Sequence, residues 1–402
     1  MKWVISNSSI IMKNTLIKLQ KGVSNWASLQ LHYNKWLSPF RVDRCISAAQ
    51  GTGEQIHNLR VLTPAQAVVP LGVDDHDRGF LQVGKYFNNG SYSRPDLFVC
   101  EVPEAYYYNG TGMVCTKDFE AVIESQMKYR LELPRSLPAL FKPWRPRRLA
   151  GTYATIQNCF WYEWWHWLVD SLPRVYSLYL AYPVEKVVLL VPDDMGPQHV
   201  DSLASVLPPN FSTRGLPRRS WVQVDRMLLP SYVSDRGNGH LPKGYYDFIR
   251  KNTFSKFGLP GKHIQTERIY VSRRHTKRRR ITNEPALISL LERYGFRTIT
   301  PENLSFREQV ELFHRAEVIV APHGSNWGNI IFSGAVKILV LYPDAVPETH
   351  IFTVAKALGQ KHFFLAGNAP HVNSDFSVDV AAVERILTLE MELTPVPSGG
   401  KH

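Results

Sequence analysis

Apolar positions are spread unevenly along this chain and are easiest to read in its last third. There, short apolar runs of strand length alternate with amphipathic stretches of helix length. RIYVS, FRTIT, EVIVAP, KILVLYP and KHFFLAG are the apolar runs, and EPALISLLERYG, SFREQVELFHRA, NWGNIIFSG and ETHIFTVAKALG lie between them. The boundaries carry their own chemistry. Asn283 caps the first helix and Gly295 stops it, while Ser305 with Glu308 three residues on spells a capping box before the second. Strand–helix alternation with short loops predicts a doubly wound parallel sheet. Such sheets bind ligands beyond the carboxyl ends of their strands, where strand order reverses.

Upstream the pattern is less regular. Residues 1–60 show no usable period, and residues 58–130 read as short strands broken by turns, with Asn109-Gly110 the clearest. FKPWRPRRLAG reads as a basic, proline-rich connector. CFWYEWWHWLVDSLPRVYSLYLAYP predicts a helix of about five turns ending near Pro183. KVVLLVP and VQVDRMLLP are strand-like, KGYYDFIRKNTFSKFGL is helical, and Gly258 to Glu267 suits a linker. The expectation is an α/β protein divided at that linker into residues 1–257 and 258–402.

Composition narrows the class. A chain of 402 residues accommodates two domains. The net charge of +12 favours anionic partners such as nucleotides, nucleic acid or an anionic membrane surface. Cys45, Cys100, Cys115 and Cys159 are widely spaced, which argues against a disulfide framework or zinc site. No run reaches the ~20 apolar residues of a membrane span. The chain therefore reads as cytoplasmic, with the inner face of the membrane as a possible address.

Two loops carry candidate phosphate chemistry. Arg273, Arg274, Lys277, Arg278, Arg279 and Arg280 fall within eight positions after RIYVS. The loop APHGSNWGN follows EVIVA, where Gly324 would permit an unusual backbone angle and the amides of Ser325, Asn326 and Trp327 would open a helix. Guanidinium groups on one side and amides on the other would cradle a diphosphate. Arg273 and Arg280 are the expected ligands, with Arg278 and Arg279 solvated. Glu284 could hold a ribose hydroxyl or simply favour its helix terminus. Within the tryptophan-rich helix, Glu163, His166, Asp170 and Arg174 recur at helical spacing, giving a base with an orienting partner. Trp164, Trp165 and Trp167 offer either a sugar-stacking platform or core. Asp74, Asp75 and Asp77 read as a solvated turn, with no metal site predicted. No GxGxxG or P-loop follows a strand, which disfavours dehydrogenases and NTPases. A nucleic-acid clamp at the basic run, or a non-catalytic glycan-binding protein, remains the alternative.

In order and spacing, these segments resemble the glycosyltransferase family 61 domain, also described as capsular polysaccharide biosynthesis-like proteins. The likeness runs through YVSRRHTKRRRITNEP, ENLSFREQVELFHRA and the HG…N loop. WWHWLVDSLPRV is similar to the family's Asn-aromatic-aromatic-His-Trp-Leu-x-Asp-x-Leu-Pro-Arg segment. Residues 95–365 are covered. The resemblance implies a GT-B enzyme, with two Rossmann-like domains facing across a cleft. It would be an inverting hexosyl- or pentosyltransferase of surface polysaccharide or capsule synthesis. The donor would be a nucleotide sugar, preferably a UDP-sugar, and the acceptor a glycan or lipid-linked saccharide, with a divalent metal allowed but not required and no nucleic acid bound. Carried over by position, Arg273, Arg280, Asn283, Glu284, His323, Gly324 and Asn329 line the donor site with Ser325 and Asn326. Asp170 and His166 are catalytic, with Glu163, Trp167 and Arg174 on the acceptor side. Glu163 stands where the family usually has Asn, and HGSNWGN replaces His-Gly-Ala-Gly-Leu-Thr-Asn.

Overall fold

The computed structural model of the chain describes residues 45–48, 55–70, 77, 79–81, 91–125, 142–233, 241–261, 264–343, 348–368 and 374–396. Among them lie two large sheets and a small hairpin. The larger sheet has ten strands: β1 (Cys45–Ile46), β2 (His57–Thr63), β5 (Leu97–Pro103), β6 (Tyr106–Tyr108), β7 (Met113–Cys115), β8 (Ala121–Val122), β9 (Arg147–Ala154), β10 (Val187–Pro192), β11 (Phe211–Leu216) and β12 (Trp221–Pro230). The remaining early strands, β3 (Gln66–Pro70) and β4 (Ser91–Arg94), pair only with each other. The larger sheet is mixed. β12 runs parallel to β9 on one side and antiparallel to β6 and then β5 on the other, while β9, β10 and β11 continue the parallel part.

The second sheet is wholly parallel, in the order β14 (Phe296–Ile299), β13 (Glu267–Val271), β15 (Ala316–Pro322), β16 (Lys337–Tyr342), β17 (Lys361–Ala366). Its strands are the apolar runs read from the sequence, buried on both faces by the intervening helices. The capping box at Ser305 and Glu308 is present, and Gly295, at φ +75°, ends the helix Glu284–Arg293 in the left-handed region. Gly258 does the same for Lys243–Phe257, a few residues before β13 begins. Asn283 behaves differently from expectation. Its side chain makes no cap but exchanges two hydrogen bonds with the backbone of Val378.

Two upstream segments also depart from their sequence reading. The second half of the basic connector is β9, an inner strand, because Arg147 and Arg148 lie in register with Val222 and Gln223 while Leu149 is buried. The tryptophan-rich segment is not one regular helix. An α-turn at Trp164–His166 passes into a π-stretch at Trp167–Ser171, and an α-helix resumes at Arg174–Ala181. The amide of Leu172 reaches the carbonyl of Trp167, and Pro173, which has no N–H, follows.

One apolar cluster runs through both sheets. Leu189 and Val191 of β10, Trp164, Trp165, Trp167 and Leu168, Trp327 and Ile330, and Ile319 and Ile338 all belong to it. The three tryptophans of the WWHW run are therefore core. Trp167, expected on the acceptor side, is 1% exposed and donates to Ser202 Oγ at 2.8 Å. Arg174, also expected there, is fully buried. Its Nη1 donates to the carbonyl of Gln157 at 2.8 Å and its Nη2 to that of Pro230 at 2.5 Å, tying the ends of β9 and β12 to the helix. Burial lowers this guanidinium to about 10, so it stays charged at neutral pH. Arg174→Met keeps most of the volume but strands both carbonyls. We expect a loss of about 3 kcal/mol or more from two charged hydrogen bonds, measured as a shift of the urea midpoint.

Candidate active site

Strand order in the parallel sheet reverses between β13 and β15: β14 lies beyond the first, β16 and β17 beyond the second. The chain leaves β13 at Ser272 and Arg273, and leaves β15 at His323 and Gly324, so the two loops emerge side by side from paired strands. Arg273 lies directly over Gly324. A Cβ on Gly324 would stand 2.0 Å from Arg273 Nη1 and 2.8 Å from its Cζ. The unusual backbone angle expected at Gly324 is absent, since its φ of 173° is extended chain that any residue adopts. The glycine instead leaves room for the guanidinium of Arg273. A 3₁₀ helix, Ser325–Phe332, follows it. The first amides of such a turn have no intrahelical acceptor, so those of Ser325 and Asn326 remain candidates for an anion.

Arg279, read from the sequence as solvated, is the second guanidinium at this place. Its Nη1 donates to Nδ1 of His323 at 2.5 Å. Arg280 turns elsewhere, because Asp375 receives its Nε at 3.0 Å, its Nη2 at 2.6 Å and its backbone amide at 2.9 Å. Other expected donor-site residues are likewise occupied. Glu284 accepts from Tyr270 and Ser272 and faces Arg274, and Asn283 is taken by Val378. Asn329 is fully buried, accepting from Trp164 Nε1 at 3.0 Å and donating to Gln309 at 3.0 Å. Asn329 therefore joins the tryptophan segment to the parallel sheet and is buried at that junction.

The electrostatics around His323 follow from these contacts. Burial, then the neighbouring Arg279, push the Arg273 guanidinium down to about 10 against a pull from Glu302. Burial lowers Arg279 as well, opposed by Glu348. Burial comes first for His323 too, and His350, Arg279 and Arg273 add to it, holding the ring well below the ordinary imidazole value. A neutral His323 that accepts at Nδ1 carries its proton on Nε2. That proton points to His350 Nε2 at 3.2 Å, which leaves the N–H of His350 on Nδ1, facing Glu348 at 3.5 Å. Burial and the charge of His166 press His350 down to about 3.

Across from this chain stands the tryptophan segment. His166 Nδ1 and Asp170 Oδ2 are 2.7 Å apart, with Asp170 1% exposed and the histidine more open. Burial opposes a charged His166, but the hydrogen bond and charge of Asp170, aided by Glu163 and Glu348, outweigh it and raise the ring above its ordinary value. Glu163 is exposed at the head of the segment. Trp165 packs edge-on against His350 at 4.8 Å, so the His166–Asp170 pair and the His323–His350 chain share one neighbourhood.

Among the described residues, one group of potential metal ligands is suitably spaced: His323, Glu348 and His350, all within 4.8 Å. An ion held by both Nε2 atoms would displace the proton between them and lie close to Arg279. Asp77 is not the solvated carboxylate expected of its cluster but is buried against Lys356; Asp74 and Asp75 lie outside the described residues. A cavity of about 880 Å³ beside Arg250, Gln265 and Gly334 opens at the opposite edge of the parallel sheet and contains none of these groups. Arg279, His350 and Glu348 were missed from the sequence. The strand-end rule could have found His350 and Glu348, which follow β16 as His323 follows β15.

Residues 164–340 match the family model described as Glycosyltransferase 61, and the match supports a glycosyltransferase family 61 protein. The match supports glycosyltransferase activity. No curated protein shows significant similarity to the chain. The match includes every expected site residue except Glu163, and it stops short of Glu348 and His350.

A depressed histidine stabilises the fold above its unfolded value, about 6.5, and that stability is lost as pH falls toward the folded one. His350→Gln should therefore flatten the decline of melting temperature between about pH 6.5 and pH 4, measured by scanning calorimetry against the unaltered protein.

Proposed function

We propose that this protein transfers a glycosyl group from a nucleoside-diphosphate sugar to a hydroxyl of a glycan or lipid-linked acceptor, with inversion at the anomeric carbon. The observation that carries this reading is the convergence of Arg273 and Arg279 on His323 and Gly324 at two adjacent strand ends. Two half-buried guanidinium groups that repel each other are relieved by a diphosphate. The amides of Ser325 and Asn326 add donors on the same side. Residues 258–402 would be the donor lobe and residues 1–257 the acceptor lobe of a GT-B arrangement. The boundary between them would fall after Gly258, where the helix Lys243–Phe257 ends, and the tryptophan segment would lie on the acceptor side.

In this mechanism His166 is the base. Asp170 holds Nδ1–H, which leaves Nε2 with the lone pair. Nε2 takes the acceptor's hydroxyl proton as that oxygen bonds to the anomeric carbon. The bond from that carbon to the phosphate oxygen breaks with its electron pair, and Arg273, Arg279 and the loop amides receive the charge on the departing diphosphate. Asp170, too buried to reach a substrate, orients the ring.

Two experiments test the parts separately. Gly324→Ala should leave the melting temperature nearly unchanged, because its Cβ meets only the flexible end of Arg273. It should weaken nucleoside-diphosphate binding, as should Arg279→Ala, by about 10- to 100-fold. Thermal shift against UDP-, GDP- and dTDP-sugars reads this directly, and unaltered affinity in both variants would place the diphosphate elsewhere. Asp170→Asn should retain nucleotide affinity while cutting turnover by about 10²–10⁴-fold. Since the carboxylate raises His166, the alkaline-rising limb of the residual activity should move to lower pH in this variant. A limb that stays in place would remove His166 from the role of base.

A further inference from the structure

We propose that the segment Lys142–Arg148 is a docking surface for the anionic headgroups of a lipid membrane. This inference stands apart from the sugar-transfer reading and rests on other residues. Trp144 is 87% exposed, the most exposed large apolar side chain among the described residues. Around it the sequence KPWRPRR places Lys142, Arg145, Arg147 and Arg148 with no acidic residue. Arg145, Arg147 and Arg148 are exposed and make no ion pair among the described residues. A lone exposed tryptophan on a mobile tail would mean little, but this one is held. At one end Lys142 Nζ lies over the rings of Tyr106, at 5.1 Å, and Phe119, at 6.0 Å. These rings belong to a buried aromatic cluster with Tyr108, against which Trp221 packs. At the other end Arg147 and Arg148 are locked into β9, in register with Val222 and Gln223. Between the two anchors, Pro143 and Pro146 each fix a backbone angle. The tryptophan is thus presented on a stiff strap only about 25 Å long when extended.

The combination suits a bilayer surface better than a polyanion. An indole seats its apolar face at headgroup depth while its N–H stays in the wet layer. The cations that flank it in sequence meet acidic lipid within a Debye length. Single-stranded nucleic acid calls for several exposed rings along a groove, whereas among the described residues of this segment Trp144 is the exposed ring and the nearby Trp221 is packed against Tyr108 and Phe119. No helix of the described residues is long and apolar enough to cross a membrane.

Sedimentation of the full chain with vesicles of phosphatidylcholine, with and without phosphatidylserine, tests the proposal. Binding should require phosphatidylserine and fade as NaCl approaches about 1 M. Replacing Arg145, Arg147 and Arg148 by Gln should weaken it about 100-fold, at roughly fivefold per charge. Replacing the same three by Lys should retain most of it. Trp144→Ala should cost on the order of tenfold, with melting temperatures unchanged because these side chains are exposed. The proposal is overturned by equal binding to both vesicle types, or by a triple Gln variant that still sediments. Capture of an oligonucleotide through these residues without capture of vesicles overturns it as well.

Discussion

The contact between Arg273 and Gly324, with Arg279 against His323 beside it, is the constraint around which the rest of the site is arranged. Two guanidinium groups occupy a half-buried place where burial and mutual repulsion both disfavour them. Locally, Arg273 donates to the carbonyl of Arg278 at 3.4 Å and Arg279 donates to His323. They are held because their loops leave adjacent parallel strands at the point where strand order reverses, and the sheet cannot move one end without the other. A glycine at 324 follows from that proximity and not from backbone strain, since its φ is extended. A neutral His323 follows as well. Pressed by Arg279 on Nδ1, it turns its proton toward His350, which turns its own toward Glu348.

The second requirement is that the tryptophan segment face this chain of groups. Apolar packing supplies most of that: one cluster joins the two sheets, and Leu168 and Trp165 close on Gly328 so tightly that a Cβ there would sit 3.3 to 3.5 Å from them. Orientation comes from a polar bridge, Trp164 to Asn329 to Gln309, in which every bonded atom is buried. A buried bridge of this kind is costly to leave half made, so it favours a single seating of the segment on the parallel sheet. The π-stretch of Trp167–Ser171 lies in the same segment and carries Asp170, whose carboxylate meets His166 one turn before it. Such bulges frequently occur at functional positions.

Much of this was legible in the residues themselves. The parallel sheet, its capping box, the stop at Gly295 and the importance of the loops after β13 and β15 all follow from local rules of period, capping and strand ends. The pair His166 and Asp170 follows from helical spacing. What escaped had a common cause. Arg279 and Arg280 are neighbours of the same type in one basic run, and only the position of Asp375, 95 residues away, decides which of them is drawn aside. Asn283 and Asn329 look like ligands in sequence, yet each bonds a distant partner, Val378 in one case and Trp164 with Gln309 in the other. Arg174 completes a polar stripe on a helical wheel, but its stripe faces two carbonyls.

In the last third of the chain the amino-acid order alone therefore determined where strands and helices alternate, which loops share an edge of the sheet, and the residue types available there, because these depend on interactions within a few positions of the chain. Tertiary structure alone decided which arginine meets His323, that His350 and Glu348 join it, and which polar side chains are spent on holding the fold. Those outcomes depend on hydrogen-bond partners far apart in sequence, and a buried polar group bonds to whatever the packing brings within about 3 Å.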